Sequence, residues 1–295
     1  MDLPLTDRIR SCLYLGAFGD ALGSSVEGAN SANSANLQVG QITDDTQMTL
    51  ATCEAIVAAR AVSPERIAKT FAAWHLQRRF RGLGSSTLKA LTDLTAGQHW
   101  ALSGAKGERA AGNGAAMRIA PLAFCLDPSA SENRRTIRDV CRITHHHDEA
   151  YIGALAIVLA IRGVSYESVP LAELCEHVAS QIPDSQVRDQ LRAVITARPE
   201  SITAAAERFG NSGFVATSVP FALYSASRGE GESAESILRE IVATGGDADT
   251  NASLAGQIIG AAVGCAALPV ETMAALNLDA DLVAMINQFV DFCGH

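Results

Sequence analysis

Two runs of oxygen-bearing side chains, Thr43-Asp44-Asp45-Thr46 and Asp247-Ala248-Asp249-Thr250, lie near opposite ends of a 295-residue chain. Neighbouring carboxylates repel unless a cation, a proton or open water takes up the charge, and hard divalent ions prefer oxygen donors such as Asp, Glu and the Thr hydroxyl. If folding joins the two runs, they supply most of the donors of a binuclear site. Each run also precedes an apolar stretch, so both are compatible with acidic helix N-caps. A cap needs one side chain and each run offers several, which favours the metal reading.

Glycine-rich segments surround these acids in the sequence. Gly16-Ala17-Phe18-Gly19-Asp20-Ala21-Leu22-Gly23 ends a helix in a glycine-dense turn, with Glu27 four residues further on. Asp20, a lone acid near a helix end, reads as a structural, hydrogen-bonded group. Gly112-Asn113-Gly114-Ala115-Ala116-Met117-Arg118 reads as a loop opening the helix that carries Ile119 and Leu122, and free amides at such a start suit a phosphate or a ribose hydroxyl. Thr244-Gly245-Gly246 repeats that design immediately before Asp247. His145-His146-His147-Asp148 is open to three readings: a zinc site, a substrate-binding edge or a helix terminus. A His-Asp phosphohydrolase set would draw on His147, Asp148, Asp247 and either His75 or His99, but it leaves Thr43-Asp44-Asp45 unexplained. No Gly-x-Ser-x-Gly elbow occurs, and no cysteine sits in a reactive context.

Apolar residues recur at helical spacing in Asp7–Leu22, Gln47–Arg60, Pro64–His75, Thr87–Leu94, Ala115–Phe124, Arg135–Ile143 and Ala150–Ile161. The pattern continues through Leu171–Val178, Gln186–Thr196, Ile202–Phe209, Val215–Ser227, Ala234–Ala243, Ala252–Ala267 and Leu282–Phe292. The expectation is an all-α protein of a dozen or more helices. Ser63 before Pro64, together with Ser201, Ser233 and Asn251, supplies candidate caps. No Pro/Gly/Ser-rich linker divides the chain, so residues 1–295 are expected to form a single domain. The polar loop Glu27–Gln41 joins Glu27 to the first acidic run and reads as a lid or as a plain surface loop.

Hydrophobic residues make up 48% of the chain and aromatics only 5%, a balance suited to closely packed helices. A formal net charge of −9 with scattered Lys and Arg argues against binding a nucleic-acid duplex. Seven cysteines without a C-x-x-C pair point to reduced thiols and a cytoplasmic setting. The N-terminus has no basic segment followed by an apolar core. The longest apolar run, Ile258–Val270, is too short to span a bilayer, so no membrane is expected as partner. The chain is expected to be a monomer.

The ordered blocks Gly19-Asp20-Ala21-Leu22-Gly23 with Glu27, Thr43-Asp44-Asp45-Thr46-Gln47, Gly112-Asn113-Gly114-Ala115-Ala116-Met117-Arg118, Thr144-His145 and Gly245-Gly246-Asp247-Ala248-Asp249-Thr250 resemble the motifs of the ADP-ribosylglycohydrolases, in that family's order. The resemblance covers nearly the whole chain. It implies a compact all-α helical bundle with two Mg2+ or Mn2+ ions at the base of a cleft, held by Thr43, Asp44, Asp45, Asp247, Asp249 and Thr250, with Glu27 at the edge. Gly112, Asn113, Gly114, Ala115, Met117, His145 and Phe214, with Gly245 and Gly246, would hold ADP-ribose through amides on phosphate and a stacking ring. The implied substrate is ADP-ribose joined to a protein side chain, often arginine, or to serine or a small-molecule acceptor. Asp45, Glu27 and Asp44 are the candidates for the carboxylate that steers the attacking water. Ordinary glycosidases use two carboxylates and no metal; the surplus of oxygen donors here favours the metal-assisted variant. A relative that binds ADP-ribose without turnover is the rival from the binding class. Two departures are visible. Ala110 and Ala111 stand where some relatives carry an acid before the Gly-Asn-Gly loop, and the short Glu27–Thr43 segment leaves acceptor choice open.

Overall fold

The computed structural model describes residues 3–26, 37–229, 231–268, 276 and 278–294. Among them fifteen α-helices make up almost all the regular structure, as the 3.6-residue periodicity predicts. In chain order these are α1 (Leu5–Gly23), α2 (Asp44–Ala59), α3 (Pro64–Leu76), α4 (Ser85–Thr95), α5 (Trp100–Ser103), α6 (Ala120–Cys125), α7 (Ser131–Arg142) and α8 (Asp148–Tyr166). The second half contributes α9 (Leu174–Ala179), α10 (Gln186–Ala197), α11 (Ile202–Phe209), α12 (Val215–Ser227), α13 (Ala234–Ala243), α14 (Ala248–Val263) and α15 (Ala280–Cys293). Two described strands, β1 (Ala105–Lys106) and β2 (His145–His146), pair in parallel.

Local chemistry explains most boundaries. Ser63, Ser201 and Ser233 cap α3, α11 and α13, each accepting from the amide three residues on, and Pro64 takes the first position of α3. Asn251 is not a cap: α14 starts three residues before it, with Asp247 at the N-cap, and α2 starts at Asp44 behind Thr43. In both helices the first turn is mostly polar, so apolar periodicity begins later than the helix does. The helix expected over Ala115–Phe124 is replaced by a 3-10 turn at Asn113–Ala115 followed by α6. Pro121 has no N–H for the Met117 carbonyl. That carbonyl accepts instead from Gln257 Nε2 (2.9 Å) and Thr49 Oγ1 (3.3 Å), which ties the loop to α14 and α2.

α1 and α14 pack antiparallel, backbone against backbone. A methyl group on Gly19 would come under 3.0 Å from the Ala252 carbonyl, on Gly23 from Asp249, on Gly256 from the Leu15 carbonyl and on Gly260 from the Ser11 carbonyl. Glycine inside a helix costs about 1 kcal/mol relative to alanine, and this contact is what requires it. At the other end of the pair, Arg8 donates to the carbonyls of Val164, Ala261 and Ala262, joining the C-termini of α8 and α14 to α1.

One continuous apolar core runs from α1 to α15. Its axis is α8, which by length and composition could cross a bilayer. The helix is 72% buried, packed against α6, α7, α9, α12 and α14, and an apolar surface all round is what such a central helix requires. Gly19→Ala is expected to lower unfolding stability by about 1–3 kcal/mol, whereas Gly84→Ala, with nothing within 4 Å of the added methyl, should change it by less than ~0.5 kcal/mol. Urea denaturation of both variants compares them directly.

Candidate active site

Asp20, fully buried in the last turn of α1, fixes the first acidic run. Its carboxylate accepts from the Thr43 amide (2.9 Å), the Thr43 hydroxyl (2.7 Å), the Thr46 amide (3.1 Å) and the Thr46 hydroxyl (2.5 Å). It therefore caps α2 from a different helix, satisfying amides that α2 leaves open. Burial pushes the Asp20 carboxyl up, and the bonds from Thr46 and Thr43 oppose that push. Its structural reading from the sequence holds, but its partners lie more than twenty residues on in the chain and were not legible.

The second run reaches the same place through α14, whose Asp249 backbone lies against Gly23. The hydroxyls of Thr43 and Thr250 both face Asp45 Oδ2, at 3.4 and 3.3 Å. Asp45 Oδ1 is buried with no hydrogen-bond partner. Burial first, and then the charges of Asp249, Asp20, Asp44 and Asp247, hold the Asp45 carboxyl well above the usual carboxylate range. Asp44 and Asp249 are likewise buried, while Asp247 is half-buried at the rim. Glu27 lies outside the described residues.

These groups fit hard divalent cations. Every donor is a carboxylate or hydroxyl oxygen, and a buried carboxylate oxygen without a donor is costly unless positive charge stands beside it. Among the described residues no three acid, imidazole or thiol side chains are gathered at ion-ligating spacing. What converges is one carboxylate with two hydroxyls, and Thr43, Asp44, Asp45, Asp247, Asp249 and Thr250 are the residues that would hold ions.

The Gly-Asn-Gly segment lies against the second acidic run. Gly112 bridges Phe214 in antiparallel fashion, the Asn113 amide donates to the Gly213 carbonyl, and the Val215 amide donates to Ala111. Asn113 Nδ2 donates to Asp247 Oδ2 (2.6 Å) and to Ser218 Oγ (2.9 Å). Ser218 in turn donates to Asn251 Oδ1, and Asn251 Nδ2 donates to the Asn211 carbonyl, which also accepts from the Asp247 amide. This chain locks the loop to the second acidic run. Sequence reasoning missed Ser218 and Asn211 and misassigned Asn251; polar residues inside otherwise apolar helices were the available signal.

Several expectations need correction. Ala115 is completely buried, so it supports the loop from beneath and cannot touch a ligand. The amides of Asn113, Ala116 and Met117 are already bonded within the protein, which narrows the set open to phosphate. Gly245 and Gly246 both have left-handed φ, 71° and 70°, and a methyl on Gly246 would strike Asn211. Backbone shape before Asp247 is reason enough for both glycines. His147 caps α8 by accepting from the Glu149 amide, Asp148 is 85% exposed, and His99 caps α5; the His-Asp phosphohydrolase set is not assembled. His145 is buried against Gly112 and Gly114, and Phe214, whose backbone bridges Gly112, is 38% exposed. A cavity of about 1010 Å3 lies elsewhere, lined in part by Glu167, His177, Arg198 and Tyr224. Its three glutamates are exposed and no residue of the acidic site lines it.

A carboxyl held above its ordinary range binds a proton in the folded chain that the unfolded chain has lost. Stability of the cation-free protein therefore falls as pH rises from about 4 through the folded-state pKa of Asp45. Asp45→Asn abolishes that titration. In EDTA at pH 7.5 the variant should melt about 2–4 °C above wild type, with the gap closing toward pH 4, and should lose any rise in Tm on adding Mg2+ or Mn2+. Differential scanning fluorimetry across pH reads both effects.

Comparisons with known proteins address the family and the fold. The family model described as ADP-ribosylglycohydrolase matches residues 1–294. An uncharacterised protein of Archaeoglobus fulgidus is 30% identical over 87% of this chain and 88% of its own length. The ADP-ribosylhydrolase ARH3 of Mus musculus is 26% identical, over 89% of this chain and 85% of its own. The ADP-ribosyl-[dinitrogen reductase] glycohydrolase of Rhodospirillum rubrum is 25% identical, over 90% and 89%. A solved structure described as an ADP-ribosylglycohydrolase-related protein complex superposes with a TM-score of 0.76 at 25% identity, covering 98% of both chains. With the helices, the motif order and the full-length match in agreement, the chain belongs to the ADP-ribosylglycohydrolase family.

Proposed function

We propose that this protein hydrolyses the bond between ADP-ribose and an acceptor, with an ADP-ribosylated arginine side chain as the first acceptor to test, and that two Mg2+ or Mn2+ ions serve it. The observation that carries the reading is the convergence of Thr43, Asp45 and Thr250 around a buried, unpartnered carboxylate oxygen, beside a loop that Asn113 ties to Asp247. The names of the mouse and Rhodospirillum relatives support the ADP-ribosyl substrate class.

Cleavage at the ribose carbon that bears the acceptor builds positive charge on the sugar. In this reading the carboxylates of Asp44, Asp45 and Asp249 favour that charge electrostatically. Bound divalent ions supply Lewis acidity toward the ribose hydroxyls and a lowered pKa for water. One carboxylate of the set, Asp45 in its ionised form, takes a proton from the attacking water as the water oxygen bonds to the ribose carbon; the departing guanidine leaves with the bonding electron pair, and that proton passes to it. Asp44 and Glu27 are the alternative bases. His145 and the Gly112–Gly114 backbone face the diphosphate, and the exposed Phe214 ring stacks on the adenine.

Incubation with arginine-, serine- and O-acetyl-linked ADP-ribose, with and without EDTA, follows free ADP-ribose directly. Asp45→Ala and Asp247→Ala should each lower release by at least about 100-fold, and EDTA should abolish it; full activity in EDTA with either variant would overturn the proposal. Phe214→Ala is expected to raise KM by about tenfold, in line with the loss of one aromatic–base stack, while kcat changes little.

A further inference from the structure

Arg118 is a fully buried cation that the mechanism above does not use. Its guanidinium lies over the Phe71 ring, 4.9 Å from the centroid. Nη2 donates to the Val140 carbonyl (3.2 Å) and to the Thr144 hydroxyl (2.8 Å), while Nε and Nη1 have no hydrogen-bond partner. Burial lowers its pKa to about 10, so it stays charged at neutral pH. Burying an unpaired guanidinium is expensive, and its position one residue from Met117, at the end of the Gly-Asn-Gly segment, suggests what it is for.

Thr144 Oγ1 lies 2.8 Å from Arg118 Nη2 and 2.8 Å from His145 Nδ1. A guanidinium has no acceptor, so the threonine oxygen accepts from Arg118 through one lone pair, and its hydroxyl proton is left to donate to His145 Nδ1, the other polar atom at hydrogen-bond distance. Nδ1 is then an acceptor and the ring proton resides on Nε2. The Nε2 atom lies 3.3 Å from the position of a methyl group added to Gly112, and 3.3 Å from one added to Gly114, so this N–H stands over the loop. The opposite tautomer would place a second N–H against an oxygen that already accepts from Arg118 and leave the hydroxyl proton without that partner.

We propose that Arg118 is a positioning residue: acting through Thr144, it fixes His145 as a neutral Nε2–H donor aimed at the Gly112–Gly114 loop, where the diphosphate of ADP-ribose binds. The last clause rests on the proposed function; the relay itself does not. Burial and the Arg118 charge keep the ring neutral down to about pH 3, so His145 holds the anion and supplies no proton to the leaving group.

The test uses the full chain labelled with 15N-histidine. The imidazole nitrogen shifts of His145 should report a single Nε2–H tautomer in the native protein. Thr144→Val removes the relay with little change of shape and should give a mixture of tautomers. Its Kd for ADP-ribose, measured by calorimetry, should rise about tenfold, the scale of one misdirected hydrogen bond to a charged group, and Thr144→Ser should restore both readouts to within about twofold. Arg118→Met should also mix the tautomers; where that variant does not fold, the native spectrum and the two Thr144 variants decide. A native Nδ1–H tautomer overturns the proposal, as does a Thr144→Val protein with an unchanged tautomer and unchanged Kd. An Nε2–H tautomer that Thr144→Val disperses, in a protein that does not bind ADP-ribose, supports the relay and refutes the proposed function alone.

Discussion

Gly19 and Gly23 of α1 lie directly against the backbone of α14 at Ala252 and Asp249, a separation that no side chain at either glycine would permit. The same turn of α1 carries Asp20, which holds the amides and hydroxyls of Thr43 and Thr46 at the start of α2. Five residues of one helix thus set the position of both acidic runs. Thr43 and Asp247 stand at the N-caps, and Asp44, Asp45, Asp249 and Thr250 in the first turns, of two long helices, where backbone bonds and core packing restrain them, and that rigidity is what a preorganised ligand set requires.

Two buried aspartates in this arrangement behave differently for a simple reason. Asp20 is surrounded by four donors, so its charge is satisfied inside the protein and its work is structural. Asp45 has two long contacts to hydroxyls, an oxygen with no partner and four other carboxylates whose charges act on it, so its charge is left for something outside the chain to balance. Next to Asp247, the Gly112–Gly114 loop packs on the neutral His145 ring, and the Arg118 cation is buried behind them.

The link between the loop and the second acidic run is polar and narrow. Asn113 joins the loop to Asp247, and Ser218, Asn251 and Asn211 continue the chain of bonds beneath it. Each of these groups is buried or half-buried, where a lost partner costs more than a bond at the surface. The loop and the second acidic run therefore move as one unit.

Much of this was legible in the sequence because it is local. Helices at α3, α11 and α13 follow from periodicity and adjacent caps, interactions that span three or four residues. The acidic runs were visible because like charges side by side are rarely neutral in their consequences, and the full motif order identified the family. What the sequence alone could not decide depends on contacts between distant segments. Asp20 caps a helix 23 residues away, Pro121 frees a carbonyl that Gln257 takes from 140 residues away, and Asn251 serves as a buried bridge where a local reading made it a cap. His147, which beside Asp148 resembled a ligand, became a cap because α8 begins at that point. The sequence by itself determined which residues carry oxygen, charge and helical preference. Only the tertiary structure decided which of those charges are satisfied within the protein and which face a ligand, because that depends on burial and on donors that arrive from other helices.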